Sequence, residues 1–294
     1  MAQGVVTGLF QYIMWGVNGA APANAMGCVD GGSLSLDPAT RHRYGISGAE
    51  IRKGGVVIPG GSATFYVTET NIDFLATYGL RASYPAGVLT PCAIRGGTDQ
   101  WFWEYQDAMI SDFSIDYAQG EGVKSTINWL AKGIAESTTP IVTYPVESNE
   151  GFEDYECVIS IEGAEYAVQS FSIKVNNNVK THSSADTKAT DKKRLPERLI
   201  YGAEQLSVGV TTAKPIAHST LGTYIDCLPD DLGAIMTCTN GCTGDEIVFT
   251  LTNLQQVDPS TMSFTDHATA TEWGYGFDGS SSLGSLAIAD TAGA

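Results

Sequence analysis

Charge is what this 294-residue chain has least of: Lys, Arg, Asp and Glu make up only 17% of it, below the usual quarter. Bases are scarcer still, 16 Lys and Arg against 33 Asp and Glu, for a formal net charge of −17. That shortage argues against a nucleic-acid binder, whose affinity comes from Lys and Arg displacing counterions from phosphates. It suits a protein that must stay soluble, or one past which a polyanion slides without sticking. The cysteines, six in number (Cys28, Cys92, Cys157, Cys227, Cys238, Cys242), are too thinly spread for a disulfide framework. No run of about 18 apolar residues is present to span a bilayer. Residues 1–16 lack the basic start and cleavage site of a signal peptide, and no Asn-x-Ser/Thr acceptor occurs. The expectation is assembly in a reducing cytosol, with every thiol free and no membrane contact.

Catalytic groups are equally sparse. There are four histidines, His42, His182, His218 and His267, and neither a Gly-x-Ser-x-Gly elbow nor a His-Glu-x-x-His helix to position a nucleophile or a metal. Cys238-Thr239-Asn240-Gly241-Cys242 offers half of a zinc site, which His218 or His267 would have to complete. Free thiols flanking an Asn-Gly turn are the expected reading. The acids Glu147, Glu150, Glu153, Asp154 and Glu156 would suit calcium or paired-carboxylate chemistry, but a solvated acidic loop explains them with less. Trp101, Trp103 and Tyr105 alternate as a core strand does, rather than forming a sugar-stacking platform. We expect no enzyme, no cofactor and no metal.

What is abundant is turn and strand chemistry. Thirty-three Gly, with many Thr, Val, Ile and Tyr, favour a mainly β chain. Residues 1–55 are Gly/Ala-rich and irregular, and predict an extended arm with short strands lying along a neighbour or over the main sheet. A strand is expected at residues 63–68. A short helix should follow, capped by Thr70 or Asn71, with Ile72, Leu75 and Tyr78 on one face and Gly79 as its stop. A further short helix is expected near residues 228–235 and a strand at 246–254. The Gly/Ser/Ala-rich end, residues 274–294, predicts a mobile segment or one held only by a partner.

The strongest pattern is a repeated hairpin. Ser111-Asp112-Phe113-Ser114-Ile115 opens one, and Gln169-Ser170-Phe171-Ser172-Ile173 opens a second. Residues i and i+2 of a strand share a face. Phe113, Ile115, Tyr117, Val123, Ile127 and Trp129 therefore oppose Asp112, Ser114, Asp116, Lys124, Thr126 and Asn128. In the second hairpin Phe171, Ile173, Val175, Leu206, Val208 and Val210 oppose Ser172, Lys174, Asn176, Gln205, Ser207 and Thr211. The result is a wall with one apolar face and one of small polar groups, on which Asp112 and Asp116 nearly balance Lys124 and Lys174. Any solvated antiparallel sheet shows such alternation, so this alone does not decide function.

Between the strands of the second hairpin lies a long polar loop, residues 176–198. The span 174–214 holds eight bases and four acids, a net +4 that leaves −21 on the rest of the chain. A basic segment on an acidic body suits attachment to a neighbouring copy, or it is a solvated loop.

This order of features resembles the tail tube (major tail) proteins of tailed bacteriophages. The likeness rests on residues 61–68 with Ile72-Asp73-Phe74-Leu75, on the first hairpin, and on Phe171-Ser172-Ile173-Lys174-Val175-Asn176-Asn177. It continues through Leu195-Pro196-Glu197-Arg198-Leu199-Ile200-Tyr201-Gly202 and Val208-Gly209-Val210-Thr211. It covers residues 50–255, and the first 50 residues and the tail have no evident counterpart. The resemblance implies a two-sheet β-sandwich or partly open barrel with one short flanking helix, bounded at residues 56–257 between the arm and a partly flexible extension, 258–294. It implies hexameric rings stacked into a hollow virion tube that conducts genomic DNA without binding it. The two hairpins would form the inner wall and pair edge to edge with neighbours, and the twelve polar residues would face the lumen. Lys188, Lys192, Lys193, Arg194 and Arg198 would reach the next ring. Other tail proteins (an initiator or baseplate, a tape measure, a terminator) would be partners. The competing expectation is a β-sandwich carbohydrate-binding or receptor-binding module of a virion.

Overall fold

The computed structural model describes residues 12–37, 41–44, 50–53, 57–81, 87–98, 101–138, 151–182, 195–216, 232–241, 244–264, 271–279 and 285–290. The strands that build the fold are β1 (Tyr12–Val17), β2 (Val29–Asp37), β3 (Ile58–Tyr66), β4 (Cys92–Gly97), β5 (Phe102–Ala118), β6 (Lys124–Leu130) and β7 (Gly133–Ser137). They continue as β8 (Cys157–Ile161), β9 (Val168–Asn176), β10 (Gln205–Thr212), β11 (Leu232–Thr239), β12 (Glu246–Phe264), β13 (Thr271–Gly279) and β14 (Ser285–Asp290). One short helix, α1 (Glu69–Phe74), follows β3.

The main sheet runs β8-β11-β12-β13-β10-β9-β5-β4-β1. Strands β2 and β3 join it through β6, β7 through β5, and β14 through β12. Two strands are long because each serves both layers. The first half of β5 pairs with β4 and β7, its second half with β6 and β9. The first half of β12 pairs with β11 and β14, its second half with β13. Each carries a residue in the left-handed region, Asp107 (φ 49°) and Asn253 (φ 53°). Asp and Asn tolerate that region better than branched residues, and such irregularities bend a strand out of one layer into the next. The two layers enclose one core. Phe113, Ile115, Phe171 and Ile173 from one share a buried cluster with Ile159, Met236, Phe249 and Leu251 from the other. This is a mainly β, sandwich-type fold with one flanking helix.

Several local expectations are corrected. The helix cap is Thr68, whose hydroxyl accepts from the Asn71 amide at 3.3 Å while the Asn71 side chain accepts from the Thr68 amide at 2.9 Å. Asn71 is thus the reciprocal partner in a capping box, not the cap. Ile72, Leu75 and Tyr78 are buried as expected, with a π turn, Leu75–Gly79, completing the helix. Residues 232–235, expected as helix, begin strand β11, because Leu232, Ala234 and Met236 alternate into the core. The chain end supplies two paired strands, β13 and β14, with Tyr275, Phe277 and Leu286 buried, so the pairing is with its own chain. Of the aromatic run, Phe102 and Tyr105 are buried and Trp101 and Trp103 only half so. Residues 12–37, read as arm, place β1 and β2 in the sheet and bury Met14 and Met26.

Not every thiol is free. Cys157 and Cys238 face each other across β8 and β11 with Cα atoms 4.0 Å apart and form a disulfide. They are separated by 81 residues in sequence, so only the sheet register brings them together. The pairing takes Cys238 out of the candidate half-site; Cys242 lies outside the described residues. Burial pushes the Cys92 thiol well up, which leaves it unreactive. Of the acidic stretch, Asp154 accepts from the Gly120 amide at 2.7 Å and Glu156 from the Gly241 amide at 2.9 Å, while Glu147 and Glu150 lie outside the described residues.

Candidate functional site

All twelve apolar residues of the two hairpins are buried, none more than 8% exposed, and their polar alternates lie on the opposite face. The hairpins also pair with each other. Strands β5 and β9 are hydrogen-bonded in the register Ile115↔Ile173, so β6, β5, β9 and β10 form one uninterrupted wall. Register sets the polar residues in rows. One row reads Thr64, Thr126, Ser114, Lys174, Ser207, Asp278 across six strands. The next reads Lys124, Asp116, Ser172, Gly209, Gly276, and a third reads Ser33, Ser62, Asn128, Asp112, Asn176, Gln205. Thr211 stands beside Ser170 and Gly274.

The rows show what the hairpin pattern alone misses. Ser62 and Thr64 of β3, and Gly274, Gly276 and Asp278 of β13, extend the same small-polar face. Their signal was present in the alternation of Ser62 and Thr64 with Ala63 and Phe65, and of the two glycines with Trp273, Tyr275 and Phe277. The hairpins are also interior to the sheet. β3 covers β6 and β13 covers β10, so the expected edge-to-edge pairing of the hairpins with neighbours has no hairpin edge to use. The rim strand next to β3 is β2.

Side chains on this face satisfy one another at short reach. Thr64 and Thr126 hydroxyls lie 3.0 Å apart, Ser33 and Ser62 hydroxyls 2.9 Å apart, and Ser114 donates to Asp116 at 2.6 Å. Asn128 and Ser111 both donate to Asp112. Lys124 donates to Asp30 at 3.0 Å and sits 5.0 Å over the Tyr66 ring; the Asp30 carboxylate raises its pKa. Lys174 and Asn176 are exposed. Around Ser172, Ser207, Gly209 and Gly276 the face hollows into an open trough of about 550 Å³. Gly209 is part of the reason, since a Cβ there would stand 2.9 Å from the Ser172 hydroxyl.

The root of the basic loop is a second constructed feature. Lys180–His182 and Arg198–Ile200 form a two-stranded stem, on which the Arg198 guanidinium donates to His182 Nδ1 at 3.4 Å. Lys188, Lys192, Lys193 and Arg194 lie outside the described residues. Below the stem, buried Asn177 donates to the carbonyls of Gly79 (2.9 Å) and Ile110 (3.1 Å), tying loop, helix and wall together. Asn178 takes a left-handed turn (φ 51°) and donates to Ala203 at 2.6 Å. Gly202 returns the chain by donating to the carbonyl of Asn177 at 3.2 Å.

Arg81 and Glu204 complete this root, and no local pattern announces either. The Arg81 guanidinium donates to the Gly202 carbonyl, lies 5.0 Å over the Tyr201 ring, and has Nε 3.7 Å from Glu204 Oε2. Both side chains are 6% exposed. Burial pushes the Glu204 carboxyl up, against a smaller downward pull from Arg81. The folded chain therefore keeps a proton that the unfolded chain has lost, once pH passes the ordinary glutamate value. The site's contribution to stability is full below that value and declines as pH rises through the raised one. In Glu204→Gln this slope should vanish, so the difference in stability between wild type and variant should change with pH. Urea midpoints followed from low pH to neutrality test it: parallel profiles for wild type and variant would contradict the assignment.

A family model described as phage tail tube protein matches residues 10–196. The chain belongs to the phage tail tube family. No curated protein matches it. The family match begins at residue 10, ahead of β1, so residues 10–50, which had no evident counterpart in the resemblance, fall within it. It ends within the loop that precedes β10. This tail tube protein is thus a structural component of a phage tail. Among the described residues, no helix is long and apolar enough to cross a membrane, and no group of three or more His, Cys, Asp or Glu is placed to hold a metal.

Proposed function

We propose that this tail tube protein closes into rings, six copies to a ring, and that the rings stack into a hollow tube with the small-polar wall lining the lumen. The observation that carries this reading is the continuity of that face across β3, β6, β5, β9, β10 and β13. A conduit for DNA needs a surface that offers phosphate neither clustered cations nor bulky obstruction. Ser, Thr, Asn and Gly in register supply that, and the few charges are largely held in place: Lys124 by Asp30, Asp112 by Asn128, Asp116 by Ser114. Residues 188, 192, 193, 194 and 198 carry positive charge toward the acidic body of the next ring, on a stem anchored by Asn177. Initiator, tape-measure and terminator proteins complete the tail, and assembly takes place in the host cytosol before the protein becomes part of the virion.

Negative-stain electron microscopy of the purified protein, concentrated in moderate salt, tests the reading. Rings or hollow tubes with a lumen wide enough for a duplex are expected. Dispersed subunits at every concentration, together with sugar-dependent protection of Trp101 and Trp103 fluorescence, would replace it with a carbohydrate-binding module.

A further inference from the structure

The rim of the wall at β2 combines a strand edge with a groove beside it. Among the described residues β2 pairs only with β3, and no other described strand lies along the second edge of its residues 29–36. Residues 30–33 of that strand are exposed. Beside it runs a groove of about 290 Å³, walled by Tyr12, Ile13, Val29, Leu34 and Trp101, with Gly97 in its lining. The carboxylate in the lining, Asp30, is already engaged by Lys124. A free strand edge flanked by an apolar groove fits an extended, uncharged peptide. Its backbone would pair with the edge while alternate side chains enter the groove.

The chain itself contains such a peptide. Residues 1–11 hold no Asp, Glu, Lys or Arg, although the whole chain carries −17. They include Val5, Val6, Leu9 and Phe10, and they lead into Tyr12, which lines the groove. Extended, eleven residues reach about 36 Å, and the nine residues of β2 about 30 Å. Copies this acidic repel one another, and their contact is least costly through segments without charge. We infer that residues 1–11 of one copy add as a strand to the free edge of β2 in a second copy. The contact is head-to-tail, each copy giving one segment and receiving another, which is the kind of contact that closes rings. The inference rests on the ring reading and names the segment and the edge that make the joint.

Cysteine pairs test it. In a Cys28→Ser background, chains carrying Val6→Cys, Leu9→Cys or Phe10→Cys are mixed with differently tagged chains carrying Gly31→Cys, Ser33→Cys or Ser35→Cys, then oxidised mildly. A disulfide joining the two tags, absent from the parent protein, is expected for at least one pair. A bond that forms only when both cysteines are in one chain would show the segment filling its own groove, and overturn the inference. No bond in either arrangement would overturn it as well. Microscopy of the same samples separates the two claims: tubes without the cross-link leave the tube reading standing and remove only this joint.

Discussion

Removing residues 186–194 is expected to leave a folded subunit that no longer stacks. The structure makes the cut safe for the fold. The stem, Lys180–His182 with Arg198–Ile200, and the Asn177 anchor lie outside the deleted segment. The 15-residue connection from 183 to 197 shortens to six, a length that antiparallel strands accommodate. The deletion removes Lys188, Lys192, Lys193 and Arg194 with Asp186 and Asp191, so the net charge moves from −17 to −19. Each acidic ring would then meet the next without the basic segment between them. Thermal melting should remain within a few degrees of wild type, while microscopy should show single rings or dispersed subunits. Full-length tubes from the deletion would remove the loop from the stacking contact. For wild type, stacking should weaken as salt rises, since opposite charges on exposed surfaces are screened within about 10 Å at 0.1 M.

DNA passage should slow sharply when lysines are spread over the wall. Register decides where. Ser114, Thr126 and Ser207 look equivalent in sequence, but with Lys174 they occupy one row. Lysine at all three would line up four ammonium groups on adjacent strands, and like charges placed directly opposite destabilise a sheet by up to about 1 kcal/mol per pair. The combination Ser62→Lys, Thr126→Lys, Ser172→Lys, Thr211→Lys avoids this, because these residues face Asn128, Ser114, Asp116 and Ser170 respectively. The change from −17 to −13 per copy should leave the fold within about 1 kcal/mol of wild type. Cations lining a tube bind phosphate and release counterions, so ejection from particles carrying this variant should be slow at low salt and recover as salt is added. Ejection kinetics that match wild type at all salt concentrations would place this face away from the DNA.

Much of the wall was legible without coordinates. The alternation of Phe113, Ile115, Phe171, Ile173, Val208 and Val210 with small polar residues is local, and period-two burial follows from backbone geometry whatever the partner strand is. Residues of β3 and β13 were harder to assign, because Ser62, Thr64, Gly274 and Gly276 gain meaning only beside strands far away in sequence. The loop root divides the same way. Asn176, Asn177 and Gly202 stand in a recognisable phrase, whereas Arg81 reaches Gly202 and Glu204 at sequence separations of 121 and 123. Local propensity also misled. Residues 232–235 have an acceptable helical look, but the apolar alternation of β11 and its pairing with β8 and β12 override it.

By itself, then, the amino-acid order determined the β class, the inward and outward faces of each hairpin strand, the acidic body with its basic loop, and the likeness to tail tube proteins. These depend on side-chain period and composition, which are local or additive. Tertiary structure alone decided which strands are neighbours, and hence the rows of the wall, the covered hairpin edges and the unpaired side of β2. It also decided the pairing of Cys157 with Cys238 and of Arg81 with Glu204. Strand order and register are set by how the two bent strands, β5 and β12, share one core between two layers, and no short-range pattern encodes that.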